Sequence, residues 1–345
     1  MSVTGNVTAA GASSGRWFYM LFGIGIGVLF LYLTIRNVDL GEAMATIAAV
    51  DPIWVLPVAI VYLLNLALRC RRWQLLFPDN DRPSLRYATD AYMIGRLANN
   101  FMPGKLGEII RAAVLGRFLP EVGITGALAT VVVEKILDAL IIIALLGLAL
   151  LVAPVPEWVG RTGLVMIIVF PSALVALVFL DRAQHRFKTG KEPAKGALLR
   201  SRLAHSVRGA LHRFSTGLYA IRTAQHFTMV SAMTLSIWVL EAIVLYICFQ
   251  AFELSAPPAA ALVTLVFLCA GSMLPSAPGF IGSYQLFIVS ALQLYNIPET
   301  SAFAMAVFIN VFIIVLTTAL GMMAIMMDGG MINLRQLMAT ARSSS

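Results

Sequence analysis

The 345 residues are 59% hydrophobic and only 12% charged, with a formal net charge of +8 and a mean hydropathy of +0.86. Soluble domains run at about 25% charged residues, so this composition excludes a soluble globular protein and marks a polytopic membrane protein. Cys70, Cys248 and Cys269 all fall in apolar runs, where an odd number reads as packing and not as a disulfide framework.

In chain order, residues 1–16 are small and polar and are expected to be disordered. Arg16 opens an apolar run to Ile35. It is longer than a signal-peptide core and no A-x-A site follows it, so it reads as the first membrane span, 17–35. The loop 36–51 sets Arg36 against Asp39, Glu42 and Asp51. A second span covers 52–70. The segment 69–86 then carries Arg69, Arg71, Arg72, Arg82 and Arg86.

The apolar stretch 87–118 is too short for two spans, which need about 20 residues each plus a turn. Near its middle stands Pro103-Gly104-Lys105-Leu106-Gly107. The same P-G-x-x-G pattern returns at Pro278-Gly279-Phe280-Ile281-Gly282, inside the equally short stretch 259–294. Breaks at membrane depth are tolerated only where protein or a water-filled cavity satisfies the freed backbone. A broken segment in each half of the chain points to a transporter's binding site. Each stretch therefore reads as a hairpin of two half-helices that enters and leaves on one side.

The remaining spans are 124–152, 159–180, 228–250 and 300–327. The loop 181–227 holds ten Lys or Arg against two acids, and all four histidines. A helix is expected there from Leu198 to Ala224. The positive-inside rule makes 69–86, 181–227 and the tail 328–345 cytoplasmic. The opposite loops, 36–51, 153–161, 251–258 and 295–299, are poor in Lys and Arg. This assignment holds only if both hairpins return to the side they entered. The expected fold is thus an all-α polytopic membrane protein. It has six transmembrane helices plus two re-entrant helical hairpins, in two inverted-topology repeats, 17–152 and 153–327. The membrane is of the bacterial inner, or plasma, type, with both termini cytoplasmic.

Candidate chemistry gathers in the first hairpin. Arg96, Asn99, Asn100, Lys105, Glu108 and Arg111 all lie in an apolar stretch, where ionisable groups are costly and functional by default. The Pro103-Gly104 break, with Gly107, starts a new helix whose N-terminus is suited to an anion, and Lys105 would strengthen that site. Glu108 and Arg111 can pair at i,i+3. Two readings stay open: a phosphate or carboxylate clamp, and a self-neutralised salt-bridge cluster. Glu134, Lys135 and Asp138 lie about 15 Å into the third span. Glu134 and Asp138 share a face, and Lys135 reaches Asp138 at i+3. They could pair with Arg96 or Arg111, relay a coupling proton or staple helices. The second hairpin is uncharged. Ser276, Ser283, Tyr284 and Gln285 supply its polarity, around the break Pro278, Gly279 and Gly282. Glu241 and Asn310 are lone polar groups in spans. No histidine lies in a span, and there is no H-E-x-x-H, Walker A or dinucleotide motif. No catalytic residue, metal or cofactor is assigned.

These residues resemble the lysylphosphatidylglycerol synthase transmembrane family, the flippase-like membrane half of the aminoacyl-phospholipid synthases, and its free-standing relatives. The resemblance covers nearly the whole chain after residue 16. It is carried by Arg69 to Trp73 with Leu75-Leu76, by Asn100 to Glu108 with Arg111, by Glu134-Lys135-x-x-Asp138, and by Pro275-x-x-Pro278-Gly279-x-x-Gly282. It implies lipid translocation between leaflets and an inverted-repeat hairpin architecture. Two departures stand out: the family usually has Arg where Lys135 stands and Glu where Gln285 stands. The aminoacyl-transfer domain has no counterpart here, so synthase activity is not expected. The leading expectation is a lipid flippase for a phosphate-bearing lipid. The alternatives are a membrane-embedded glycosyl- or headgroup-transferase with Glu134 or Asp138 as base, or a partner of a lipid synthase docking through 181–227. Membrane lipids are the expected partners, with a lipid synthase or a second copy as further candidates and no nucleic acid.

Overall fold

The computed structural model describes residues 11–102, 105–152, stretches of 157–175, 223–272, 274 and 277–327, with side chains from Phe22 onward. Pro103, Gly104, Ser276, the tail 328–345 and nearly all of the basic loop 181–227, with its expected helix, lie outside the described residues. Among the described residues the chain is all helical. Helices α1 (Gly11–Ile35), α2 (Leu40–Ala49), α3 (Val55–Leu75), α4 (Leu85–Phe101) and α5 (Gly107–Phe118) are followed by α6 (Gly123–Val152). Then come α7 (Ala224–Ala251), α8 (Pro258–Ser272), α9 (Ser283–Gln293) and α10 (Glu299–Met327).

Three helical stretches are long and apolar enough to cross a membrane: Pro52–Leu75, Ala224–Ala251 and Glu299–Met327. The pair Phe22–Ile35 and Leu40–Ala49, bent by 87°, adds a fourth if it counts as one span. Helix α6 has 30 residues, about 45 Å at 1.5 Å per residue, so its length suffices. Its three charges set it apart from an ordinary apolar span.

Two expectations at the N-terminal end need correction. Helix α1 starts at Gly11, ahead of the expected boundary at Trp17, because elongation from the long apolar run costs little once that run is helical. The acidic segment 36–51 is not a plain loop. Asp39 accepts hydrogen bonds from the Gly41 and Glu42 N–H groups at 2.8 and 3.0 Å and so caps α2. Asp51 caps the short turn Pro52–Trp54 through the Ile53 N–H at 2.9 Å. The acids that mark this segment's side of the membrane are helix caps as well.

Helices α4 and α5 fold back on each other. Tyr87, near the start of α4, stacks on Phe118 at the end of α5, with ring centroids 4.7 Å apart. At 17 and 12 residues they are about 25 and 18 Å long, short of the ~30 Å hydrocarbon core. Helices α8 and α9, at 15 and 11 residues, are shorter still and also pack together. The packing is reciprocal. Helix α3 lies on α7, α4 on α10 and α8 on α6. Helix α5 lies on α6 as α9 lies on α10, and α3 on α4 as α7 on α8.

Small residues permit these close crossings, as membrane interfaces require. A Cβ at Gly107 would stand 2.0 Å from the Gly95 carbonyl oxygen, and one at Gly95 would stand 2.7 Å from that of Gly107. Gly107→Ala should therefore prise α4 from α5, at a cost of at least about 1–3 kcal/mol. Gly147→Ala meets open space and should be neutral. Thermal unfolding of both variants in detergent checks this: a clear loss of stability is expected for the first alone.

Candidate functional site

Six charged side chains from three helices, α3, α5 and α6, form one unbroken chain. Lys135 Nζ lies 2.9 Å from Glu108 Oε1, and Glu108 Oε2 lies 2.5 Å from Arg111. Arg111 reaches Glu134 at 3.0 Å, and Glu134 reaches Arg72 at 2.9 Å. Arg72 in turn holds Asp138 at 2.5 Å. Signs alternate along the whole row, so the six charges cancel. The side chains of Arg72 and Glu134 are 0% and 1% exposed, and that of Arg111 is 3% exposed. Arg111 lies against the Trp73 and Tyr92 rings, 4.8 and 5.0 Å from their centroids. Arg72 also donates to Thr234 Oγ1 at 3.1 Å, and the Trp238 indole N–H donates to Asp138 at 3.3 Å. The row thus ties α3, α5, α6 and α7 together.

The expected Glu108–Arg111 pair is present, and Glu134 meets Arg111. Lys135 does not turn along its own helix to Asp138. It crosses to Glu108, because Asp138 is filled by Arg72. That arginine is the residue missing from the sequence-derived site. Asn65, Arg69 and Arg72 recur at helical spacing on one face of α3, and this periodicity is the signal that could have found it. The same face makes a second pair, with Arg69 2.8 Å from Glu241. Asn65 accepts from Arg69 Nε at 2.7 Å and donates to the Ile237 carbonyl. Glu241 is therefore not alone.

Amide side chains bind the hairpin turns. Asn99 Oδ1 accepts from the Gly107 N–H at 2.8 Å, and the next N–H groups of α5 go to the carbonyls of Lys105 and Leu106. The start of α5 is thus satisfied from within, and its anion attraction rests on side chains rather than on free N–H groups. Asn100 donates to Thr317 Oγ1 at 2.9 Å and Thr318 Oγ1 at 3.0 Å, fixing α4 to α10. In the second hairpin Gln285 Oε1 accepts from the Gly282 N–H at 2.8 Å. Gln285 donates to Asn310, which donates to the Gly279 carbonyl at 3.0 Å. Ser283 donates to the Phe280 carbonyl, and Tyr284 is half-buried beside it.

The two turns meet. The short helical turn at 278–280 packs on α4, and a Cβ on Gly279 would lie 3.7 Å from the Asn100 carbonyl oxygen. Lys105 Nζ sits 5.8 Å from the Phe280 ring centroid. Lys105 and Phe280 both hold positive φ, 57° and 59°, a costly conformation for residues with side chains that gathers at functional sites. Lys105 is exposed and has no carboxylate within ion-pair distance among the described residues. Arg96 donates to the Tyr62 hydroxyl at 2.8 Å and likewise lacks a carboxylate. A small open-sided cleft is lined by Tyr92, Arg96, Asn99, Glu108 and Arg111 with Gly95 and Gly107. The three cysteines are free and buried. No group of three or more His, Cys, Asp or Glu positioned to hold a metal occurs among the described residues.

Residues 20–321 match the lysylphosphatidylglycerol synthase TM region. The chain belongs to that family. It is 27% identical over 303 residues to a UPF0104 membrane protein of Methanothermobacter thermautotrophicus, covering 82% of this chain and 88% of the relative. No solved structure matches it. The match places the protein in a membrane, as its apolar helices do.

Removing one partner of a buried pair costs about 3–5 kcal/mol. Arg72→Met should cost this much, because it leaves Asp138 without a cation and Glu134 with Arg111 alone. Lys135→Met, at a side chain 47% exposed, should cost under about 1 kcal/mol. Thermal melts of the purified variants separate the two, and equal losses would remove Arg72 from its central place.

Proposed function

We propose that the protein moves a phosphate-bearing lipid between the leaflets of a bacterial-type inner membrane. The headgroup passes between the two hairpin turns while the tails remain in the bilayer. One observation carries this reading: among the described residues Arg96 and Lys105 have no carboxylate partner beside a row of paired charges, and they stand beside two apposed helix breaks. Uncompensated cations at membrane depth are expensive, and an anionic headgroup offsets that cost. The family's printed description, the membrane region of a lipid-modifying synthase, agrees with a lipid cargo. A transferase fares worse, since Glu134 and Asp138, its candidate bases, are both held by Arg72.

The architecture that goes with this reading is two inverted repeats, 17–152 and 153–327, each with three spans and one re-entrant hairpin. The first hairpin opens from the cytoplasm and the second from outside. The reciprocal packing of α4 on α10 and α8 on α6 supports it, as does the distribution of Lys and Arg. Glu121 and Ser255 are exposed in loops, and the native cysteines are buried. Glu121→Cys should react with an impermeant maleimide only from the cytoplasmic side, and Ser255→Cys only from outside. Labelling of both from one side would remove the inverted arrangement.

Transport itself is tested in liposomes, by following fluorescent lipids with dithionite bleaching. Arg96→Gln and Lys105→Gln should each slow translocation at least about tenfold, the scale of losing ~1.4 kcal/mol of charge-assisted binding. Both should keep the wild-type melting temperature. Arg161→Gln, which breaks an exposed pair with Glu157, should transport normally. Wild-type rates in both Arg96→Gln and Lys105→Gln would dismiss the clamp.

A further inference from the structure

Counted charge by charge, the region between the hairpins is not neutral. The row from Lys135 to Asp138 cancels, and Arg69 cancels Glu241. The second hairpin, 259–294, contributes no charged residue. Arg96 and Lys105 remain, an excess of two positive charges. We propose that the cargo is a lipid ending in a phosphate monoester, with no amino or other cationic group in its headgroup. This rests on the transport reading and narrows it.

Charge matching comes first. A phosphate monoester carries about −1.5 to −2 at neutral pH and cancels both cations. A phosphodiester carries one negative charge and leaves one cation bare. A zwitterionic headgroup brings no net charge at all.

The second argument is that a cationic headgroup group finds no place to bind. Glu108 already serves Arg111 and Lys135. Glu134 serves Arg111 and Arg72. Asp138 serves Arg72 and the Trp238 indole. The aromatic faces that attract ammonium groups are also taken, Trp73 and Tyr92 by Arg111 and Phe280 by Lys105. The pocket instead offers donors. Arg96 and Arg111 both line it, and Arg111 Nε is buried without a hydrogen-bond acceptor.

The full chain is reconstituted in phosphatidylcholine liposomes. Four tail-labelled lipids are followed by dithionite bleaching: phosphatidic acid, phosphatidylglycerol, phosphatidylcholine and an aminoacylated phosphatidylglycerol. Phosphatidic acid should move at least about tenfold faster than the zwitterionic and aminoacylated lipids, with phosphatidylglycerol between them. Arg96→Gln and Lys105→Gln should each shrink that preference, and Lys105, being exposed, can be changed without threat to the fold. Equal rates for phosphatidic acid and the aminoacylated or zwitterionic lipid would overturn the charge selection while leaving lipid transport standing. A phosphatidylglycerol rate equal to that of phosphatidic acid would overturn the monoester assignment. Uptake of radiolabelled inorganic phosphate with no lipid movement would assign the pocket to the free ion and overturn the lipid cargo. Movement of neither lipid nor phosphate would remove the transport reading itself.

Discussion

Arg72 is the side chain on which the rest of this membrane core depends. It is wholly buried and bridges Glu134 and Asp138, two carboxylates one turn apart on α6. Without a cation between them those carboxylates would repel each other at membrane depth, where an ionised group is costly even when single. With Arg72 in place, α6 carries three charges and still packs against α5, α8 and α7. Arg111 then extends the neutralised row toward the first hairpin. Neither arginine could be replaced by lysine without loss, because each engages two carboxylates through a planar fork of donors.

The row also divides the polar residues by duty. Arg72, Glu134, Asp138 and Arg111 spend their charge on one another and hold helices. Asn99, Asn100, Gln285 and Asn310 spend their amides on backbone and hydroxyl groups at the hairpin turns. Such bonds answer a strict demand, since lipid supplies no partner for a broken helix. Gln285 is a clear case. Its oxygen caps the Gly282 N–H and its nitrogen binds Asn310, so both ends of its amide are engaged at the turn. What is left over after these duties is small: Arg96, Lys105 and a pocket floored by glycine. The transport reading rests on that remainder.

Much of the architecture was legible in the chain. The apolar runs gave the long helices, and the two P-G-x-x-G blocks marked both turns. The stretches 87–118 and 259–294, each too short for two spans, hold pairs of short helices, α4 with α5 and α8 with α9. These features are local: a bilayer fixes helix length, and a breaker acts where it stands. Helix α2 was missed because its signal is one capping aspartate followed by small residues, within a segment whose acids spoke more loudly as orientation markers.

The partners of the charges were decided by tertiary structure alone. Sequence spacing offered Lys135 to Asp138 along one helix, yet Lys135 crosses to Glu108, and Asp138 is claimed by Arg72 from a helix 66 positions away. Sequence gives the cost of each buried charge, but not which opposite charge lies across the interface. The meeting of Asn100 with Gly279, and of Lys105 with Phe280, is likewise set by how the hairpins pack. The sequence by itself determined a helical membrane protein carrying two helix-breaking P-G-x-x-G blocks, because hydropathy and chain breakers act locally. Only the packed structure decided which cations stay uncompensated, because neutralisation is a property of pairs brought together from distant parts of the chain.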